Sequence, residues 1–599
     1  MKISIKLTMY GLATVFSAWL HTGFAYDSSY PFPNDTPSVA PNPDKNTKDK
    51  SKLNLPGNPQ EGSTEKGGRG TIIRIKKIVF EGNKTIPTEE LEQVSNPYLN
   101  RPLTGSDLEQ LRYRLTLLYV NYPEKGYISS GAVIENQDFK DGKLCIKIIE
   151  GKLTEVRVRG SGWEKSWWPS PMLNPLFPTL MEQYISDRLL GDPNEPLNST
   201  GLQDRYFRLL NDPLIERLNG TLLPGQKPGE AILDLKVARK RPYTLELGVD
   251  NFAPPSIGGY AGRINTTVAN PIGFGETINL GFNELSGGQN YLAGVDIPLN
   301  LPFSPQGTHA FFQYSNYNTV LVQPPFQQLN IKSNIINYDA GFKLPFIVEA
   351  NQRLTAGFNF NIRQDVTTVS GQPLNRPGSH HGVDSETVVR AWGDYLRQGS
   401  LWGSSWAVNV KGTVSVGVDA LGANITTQTG DGRFLDGMLQ GAGRFSILDT
   451  AAYVLLNGAL QLSDDQLLPL EKFAIGGFST VKGYRQNYLV RDEGFYTALE
   501  FHLPVYPFLY KSARPYSVSL VPFLNYGGAW DHSKAGTNLF STGIGIEWQN
   551  EWVVLDDAKE SLSASLYWAE RLTSYPLNTG TPYDLQDNGV NFQVNFKVF

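Results

Sequence analysis

From Arg241 onward, roughly 360 residues run without any sustained helical periodicity. In its place, segments of about ten residues alternate apolar with polar or small side chains, punctuated by Gly, Pro, Asn and Asp. Successive side chains of a strand point to opposite faces, so each such segment has one apolar and one wet face. In Phe540–Trp548 the bulky Phe540, Ile544, Ile546 and Trp548 fall on even numbers, and Ser541, Gly543, Gly545 and Glu547 on odd ones. Leu562, Ala564, Leu566 and Trp568 alternate with Ser561, Ser563 and Ser565, and Tyr291, Ala293, Val295 and Ile297 with Leu292, Gly294 and Asp296.

A soluble sandwich would turn the apolar face inward. A transmembrane barrel turns it to lipid and lines water with the other. Three features favour the barrel. The wet face repeatedly carries Ser, Asn, Gln, Glu and Arg. Short turns (Asn270-Pro271 to Gly275) alternate with long polar ones (Val366 to Asp384). The last segment is strand-like up to Phe599. About sixteen strands are expected, an even number as in bacterial barrels. In Val590–Phe599 the apolar face falls on even numbers, so Phe599 is out of phase, which a bulge or a place at the rim would reconcile.

The N-terminus fits export. Lys2 and Lys6 precede an apolar stretch from Met9 to Leu20, and Gly23-Phe24-Ala25 is a small-x-small cleavage site, so residues 1–25 read as a signal peptide. That stretch is shorter than the roughly 18–20 residues of a spanning helix. No other segment approaches one, so a membrane crossing requires a closed barrel. Residues 26–71 are rich in Pro, Asn, Asp, Lys, Ser and Gly and read as a flexible linker, with no amphipathic helical stretch.

At Thr71 the pattern becomes globular. Ile73, Ile75, Ile78 and Phe80 mark a strand-like run. Thr88 is placed to cap a helix starting at Glu89-Glu90. Thr104-x-x-Asp107 resembles a capping box, followed by Leu108, Leu111, Leu115 and Leu118 at helical spacing. Leu144, Ile146 and Ile148 alternate as in a half-buried strand. A second unit repeats the theme, with Val156 and Val158, a stripe of Leu202, Tyr206, Leu209 and Leu210, then Leu233, Leu235 and Val237. The aromatic stretch from Trp163 to Leu190 fits no pattern. Cys145, the single cysteine, reads as a buried bystander.

Enzyme chemistry finds no support. There is no phosphate-cradling Gly-x-x-x-x-Gly-Lys-Ser/Thr run, no Gly-x-Ser-x-Gly elbow and no His-Glu-x-x-His helix. His380-His381 reads as a solvated loop pair rather than a metal site. A formal charge of -5 gives no general attraction for nucleic acid. No cofactor, metal or nucleic acid is expected.

A set of short motifs carries a family resemblance. Gly126-Tyr127, Gln137-Asp138 through Asp141-Gly142, and Ile149-Glu150-Gly151 resemble a first POTRA domain; Leu223-Pro224-Gly225 and Gly229 resemble the loop before the last strand of a second. Leu468-Pro469-Leu470-Glu471-Lys472-Phe473 leads to Gly476-Gly477 and then to Val481-Lys482-Gly483-Tyr484. That tetrapeptide resembles a Val-Arg-Gly-Tyr/Phe loop tip, and Phe523-Leu524-Asn525-Tyr526-Gly527 a Phe-x-Asp-x-Gly strand. In order and spacing the chain resembles the transporters of two-partner secretion systems (TpsB, of the ShlB/FhaC/HecB type) in the Omp85 superfamily.

The resemblance implies two small α/β POTRA domains (72–152 and 153–241) and an antiparallel barrel (242–599) in the outer membrane. It implies a sixth extracellular loop, about 473–491, folded into the lumen, with Val481, Lys482, Gly483 and Tyr484 at its tip and Phe523, Asn525 and Gly527 on the wall. It implies translocation of an unfolded exoprotein (an adhesin, haemolysin or related TpsA-like client) without ATP. Outer-membrane lipid including lipopolysaccharide, the barrel assembly machinery and periplasmic chaperones would be further partners. An Omp85-type assembly factor and a passive porin are the alternatives.

The chain departs from the family at one place. Its loop arginine and strand aspartate are replaced by Lys482 and Asn525, which cannot form that ion pair. Alternation puts Phe495, Thr497, Leu499, Phe501 and Leu503 outward, and Glu500 and His502 inward. Glu500 is therefore the expected partner of Lys482, with Tyr484 packing and backbone bonds as the other way to hold the loop.

Overall fold

A computed structural model describes residues 52–55 and 72–598, except 123–125, 140, 160–177, 193–194, 211, 213, 240–242, 273–274, 300–306, 350, 376–378, 426–431, 449, 507–515, 554–558 and 574–582. The expected signal peptide, most of the linker, Trp167-Trp168-Pro169 and Phe599 lie outside the described residues. The chain divides between Lys240 and Arg241 into two compact units.

The unit ending at Lys240 opens with β1 (Lys52–Asn54), within the segment read as linker. Then follow β2 (Ile73–Arg74), β3 (Lys77–Glu81), α1 (Thr88–Ser95), β4 (Pro102–Leu103), α2 (Gly105–Val120), β5 (Gly131–Val133) and β6 (Lys143–Ile149). β3 pairs parallel and β5 antiparallel with β6. Leu111, Leu115 and Tyr119 of α2 bury against Leu144, Ile146 and Ile148 of β6, with Leu108 and Leu118 at the margin. The apolar stripe on α2 and the period of two in β6 thus meet in one core.

Thr104 caps α2 reciprocally: Asp107 N donates to Thr104 Oγ1 at 3.3 Å, and Thr104 N to Asp107 Oδ2 at 2.7 Å. Asp107 fills the place usually taken by Glu. Thr88 is not a cap. It is the first residue of α1, and its hydroxyl accepts from Asn83 Nδ2 at 3.1 Å instead. Cys145 is half-buried rather than buried, because strand parity turns it away from the face that carries Leu144 and Ile146. Its backbone edge is closed by Gln137, which donates to Cys145 O and accepts from Cys145 N, both at 2.7 Å.

The second small fold holds β7 (Lys152–Arg159), α3 (Pro178–Leu190), α4 (Ser199–Leu210), β8 (Ile215–Pro224) and β9 (Glu230–Arg239). Part of the unassigned aromatic stretch is therefore helix α3. Its sheet runs β1-β8-β9-β7, with Leu202, Tyr206 and Leu209 of α4 buried, as are Leu233, Leu235 and Val237 of β9. The motif glycines sit where the two folds join. Lys152 N donates to Gly229 O and Leu197 N to Gly151 O. A Cβ on Gly229 would lie 2.3 Å from Ile149 Cγ2, so no larger residue fits there.

In the other unit, sixteen antiparallel strands close a barrel among the described residues, and a two-residue strand (Gln372–Pro373) folds back on one of them. The ring shuts where Tyr243–Asp250 pairs with Val590–Lys597. The alternation has the expected sense: Ile546 and Leu566 are 50% and 52% exposed on the outer face, while Ser541 and Asn525 are buried on the inner one. The strands flanking the long polar turn reach further than the sequence suggested, to Val369 and from Val383. The last strand is assigned to Lys597, and Val598 N still donates to Leu245 O.

The cap of α2 is testable. Thr104→Ala is expected to destabilise the first small fold by about 1 kcal/mol, measured by amide exchange along α2. Hydrogen bonds from Thr104 hold the Asp107 carboxyl below its usual range. Its contribution is therefore complete above about pH 4 and is lost as pH falls through the lowered value. The difference between Thr104→Ala and the unaltered chain should narrow at pH 3; an unchanged difference would exclude the cap as its origin.

Candidate functional site

Two neighbouring wall strands, Tyr453–Ser463 and Glu493–Tyr506, pair directly with each other. The residues between them, 464–492, form the sixth outer loop and turn into the barrel. There Phe473–Ile475 pairs with Leu489–Arg491 as a small hairpin. Loops are normally solvated, yet Ile475, Val481, Lys482, Tyr484, Arg485 and Asn487 are all buried. At the tip, Gly483 has φ +92° and packs so closely that a Cβ would lie 3.0 Å from Ala569 Cβ. Both the left-handed backbone and the close approach call for glycine.

Lys482 Nζ lies 2.5 Å from Glu500 Oε1, with the two residues only 3% and 7% exposed. Three rings surround the ammonium, Phe478 at 5.0 Å, Phe523 at 5.1 Å and Tyr567 at 5.4 Å, so aromatic faces replace much of its water. Behind it runs a chain of polar contacts. Glu500 Oε2 meets His502 Nε2 at 3.1 Å, His502 Nδ1 meets Glu547 Oε2 at 3.2 Å, and Tyr567 OH donates to Glu547 Oε1 at 2.6 Å. The Tyr453 ring stacks on His502 at 4.4 Å.

Phe523, Asn525 and Gly527 share the inward face of strand Tyr516–Trp530, and each meets the loop differently. Phe523 walls the lysine cage. Asn525 Nδ2 donates to Thr480 O at 3.0 Å, so it holds the loop backbone and not the lysine. Gly527 leaves room for the neighbouring loop residue, since a Cβ there would lie 3.1 Å from Val481 Cγ2. Tyr484 OH donates toward Phe540 O and Thr573 O, at 3.0 and 2.9 Å. The structure therefore brings every site residue singled out in the sequence into one cluster.

Sequence reasoning missed two further anchors. Arg485 grips Asp587 with two bonds, Nε–Oδ1 at 2.6 Å and NH2–Oδ2 at 2.7 Å, both partners buried. This is the planar fork on a carboxylate, three residues past the position where the family has it. At the loop's root, Glu471 accepts from Arg363 at 2.9 Å and from Arg390. Arg363 and Arg390 stand on the seventh and eighth strands, half the ring away in strand order from the last two. The loop is thus strapped across the lumen. The signal for the tip anchor was Arg485 itself, adjacent to the motif; the root anchor had none beyond Glu471 within its motif. His380 and His381 lie in an outer loop with their Nδ1 atoms 2.8 Å apart, and among the described residues no group of three or more potential ligands forms a metal cage.

The sequence profile of the haemolysin secretion/activation proteins ShlB/FhaC/HecB matches residues 229–548, and that of the ShlB-type POTRA domain matches residues 73–151. The outer membrane transporter CdiB of Escherichia coli is 22% identical over 495 residues, covering 78% of this chain and 74% of that protein. The heme/hemopexin transporter protein HuxB of Haemophilus influenzae (strain 86-028NP) is 24% identical over 445 residues, covering 72% of each. The solved structure of CdiB from Escherichia coli superposes with a TM-score of 0.60 at 19% identity, covering 91% of this chain and 94% of that one. CdiB from Acinetobacter baumannii gives 0.53 at 15% identity, with 91% and 95% covered. The profile match spans more than half of the sequence, and with the POTRA match and the closed barrel it leads to one assignment: the chain belongs to the ShlB/FhaC/HecB family of two-partner secretion proteins, outer-membrane transporters and not enzymes.

Proposed function

We propose that this chain binds an unfolded exoprotein on its two POTRA domains (72–152 and 153–241) and passes it through the barrel (242–599) to the cell surface without ATP. The observation that carries the reading is the hairpin strapped across the lumen by polar contacts. Such a closure belongs to a pore that must stay shut at rest and open for a large cargo. Strand edges on the two small folds suit an unfolded chain, because backbone bonding gives affinity with little demand on sequence. The relatives' names include a haemolysin transporter, HpmB of Proteus mirabilis, which supports a haemolysin-like client, while an adhesin-like one is what the family resemblance implies. Lipopolysaccharide against the outer face, and the barrel assembly machinery with periplasmic chaperones for insertion, complete the proposed partners.

In this reading Lys482, Glu500, Tyr484 and Arg485 hold the loop, with Phe523, Asn525 and Gly527 as its seat. Removing one partner of a buried pair leaves an uncompensated charge, at a cost of about 3–5 kcal/mol. Lys482→Met and Glu500→Gln should each raise the open-channel fraction in planar bilayers. The double variant should open less than the sum of the two, because the partners are coupled. Strictly additive effects would show that the pair does not act as one lock. Arg485→Lys, which keeps the charge but loses the fork, is expected to open the channel as well.

Deleting residues 72–240 tests the function. Export of the partner exoprotein should cease while ion conductance persists. Export that survives the deletion would overturn the reading. General failure of other barrels to insert, on loss of this chain, would instead mark an assembly factor, and unchanged solute flux as the sole activity would mark a porin.

A further inference from the structure

The barrel wall behind the loop's root holds a carboxylate in an unusual state. Glu386 points into the lumen from the strand Val383–Leu401 and is fully buried, at 0% exposure. Neither of its oxygens accepts a hydrogen bond from the described residues. Such a group is costly to hold, because it has given up water and gained no donor. Other carboxylates of the same wall are served. Asp365 accepts from Ser333 Oγ at 2.6 Å and from Thr367 Oγ1 at 3.1 Å, and Asp339 accepts from Asn359 Nδ2 at 2.6 Å. Glu471, arriving on the loop, takes both Arg363 and Arg390.

A suitable donor stands directly opposite. Arg363 is the ladder partner of Glu386, across the pairing of strands Gln352–Val369 and Val383–Leu401. Opposed side chains of an antiparallel pair start about 4.5–5.5 Å apart at Cβ, and a charged N–H···O bond between them closes to about 2.7–2.9 Å. Here Arg363 NH1 stops 3.9 Å from Glu386 Oε1. The loop has drawn it away. The same nitrogen donates to Glu471 Oε1 and to Leu470 O, both at 2.9 Å. On the wall, Arg363 Nε reaches Asn337 Oδ1 only at 3.4 Å. The gap to Glu386 is about 1 Å more than a charged hydrogen bond spans, a distance that a small rotation of a long side chain closes.

We infer that Glu386 is the second seat of Arg363: as the loop leaves the lumen with Glu471, Arg363 closes onto Glu386 and the wall keeps an ion pair of its own. The inference rests on the gating reading above. It makes Glu386 a positioning residue for export, acting through Arg363 rather than on the cargo. Two carboxylates that compete for one guanidinium form a two-state element. With the loop in place, Glu386 is buried and unbonded, which raises the free energy of the closed state. With the loop out, it is bonded, which lowers that of the open state. Both effects favour opening and oppose the contacts that hold the loop. The handover also spares the open lumen a bare guanidinium, whose planar fork would grip acidic side chains of the passing chain.

The test reads channel opening of the full-length chain in planar bilayers, which needs no exoprotein. Glu386→Gln keeps the shape and removes the charge. It should lower the open fraction about tenfold, the equivalent of one charged hydrogen bond withdrawn from the open state. Glu471→Gln should raise the open fraction, and adding Glu386→Gln should cancel most of that gain. Glu386→Asp, one methylene shorter, should fall between Glu386→Gln and the unaltered chain. A carboxylate that merely supports the closed wall predicts the opposite sign, because loosening that wall favours opening. An open fraction unchanged or raised in Glu386→Gln therefore overturns the proposal. So does a Glu386→Gln chain that no longer folds into a heat-modifiable barrel, since the carboxylate would then serve the closed state. The two readings fail separately. If the unaltered chain exports no partner exoprotein while the variants open and close as expected, the handover stands and the secretion reading falls. If export proceeds and Glu386→Gln leaves opening unchanged, the reverse holds.

Discussion

Hydrocarbon offers no water to an unpaired N–H or C=O, so every strand that crosses it needs a neighbour on both sides. That constraint forces the ring to close, and the closure here is uneven. The first and last strands share five residue pairs, against eight in each flanking ladder. Side chains continue the closure at its outer end. Asn251 Nδ2 donates to Val590 O at 2.9 Å, and its Oδ1 accepts from Phe592 N at 2.8 Å, imitating a further ladder step. Gln586 Nε2 donates to the carbonyls of Asn251 and Ala253, while its Oε1 accepts from Gln486 N in the loop. The lumenal hairpin is therefore stitched to the seam, next to the Arg485–Asp587 fork, and what holds the loop also helps hold the ring.

The polar character of the loop's seat has a physical logic. A buried ion pair gains little net stability over an apolar contact, because its Coulomb attraction offsets the loss of hydration. For a segment that leaves and returns, as the proposed gating requires, this is an advantage. In the proposed open state Lys482 and Glu500 would regain water, so neither would be stranded. A seat built from leucines would expose its apolar area to the wet channel on every opening, at about 25 cal/mol for each Å². The ion pair fixes where the loop sits, and the rings of Phe478, Phe523 and Tyr567 allow a lysine to serve where the family has arginine.

How much of this was legible depended on the range of the signal. Strand parity is local and rigid. It placed Glu500 and His502 inside from the sequence around them, and hence set Glu500 opposite Lys482. The leucine stripe of α2 and the cap at Thr104 were legible for the same reason. Arg485–Asp587 spans 102 positions and ends in a loop before the last strand, where no periodicity operates. β1 was invisible because three residues in a proline-rich segment are too few to show alternation, and the cause of the strand lies at Gly220, far along the chain. Cys145 was misread as buried because an apolar run was taken whole, where its parity separated it from Leu144 and Ile146.

Glycine plays the same part in each unit, one that propensity scales do not anticipate. Inside a strand it weakens the ladder and packs nothing, yet here it stands where another segment must enter. Gly527 makes room for Val481, and Gly220 is filled by Leu53. Gly220 stands between Leu218 and Leu222 on its face, so the missing side chain there has the dimensions of one residue, whereas Gly527 stands between Asn525 and the small Ala529. A socket of that kind selects its visitor by shape while leaving the host strand's own hydrogen bonds intact. The glycine in Phe-x-Asn-x-Gly is thus not a flexible point in the barrel wall. It is a space shaped to the loop residue that occupies it, as Gly220 on β8 is to Leu53.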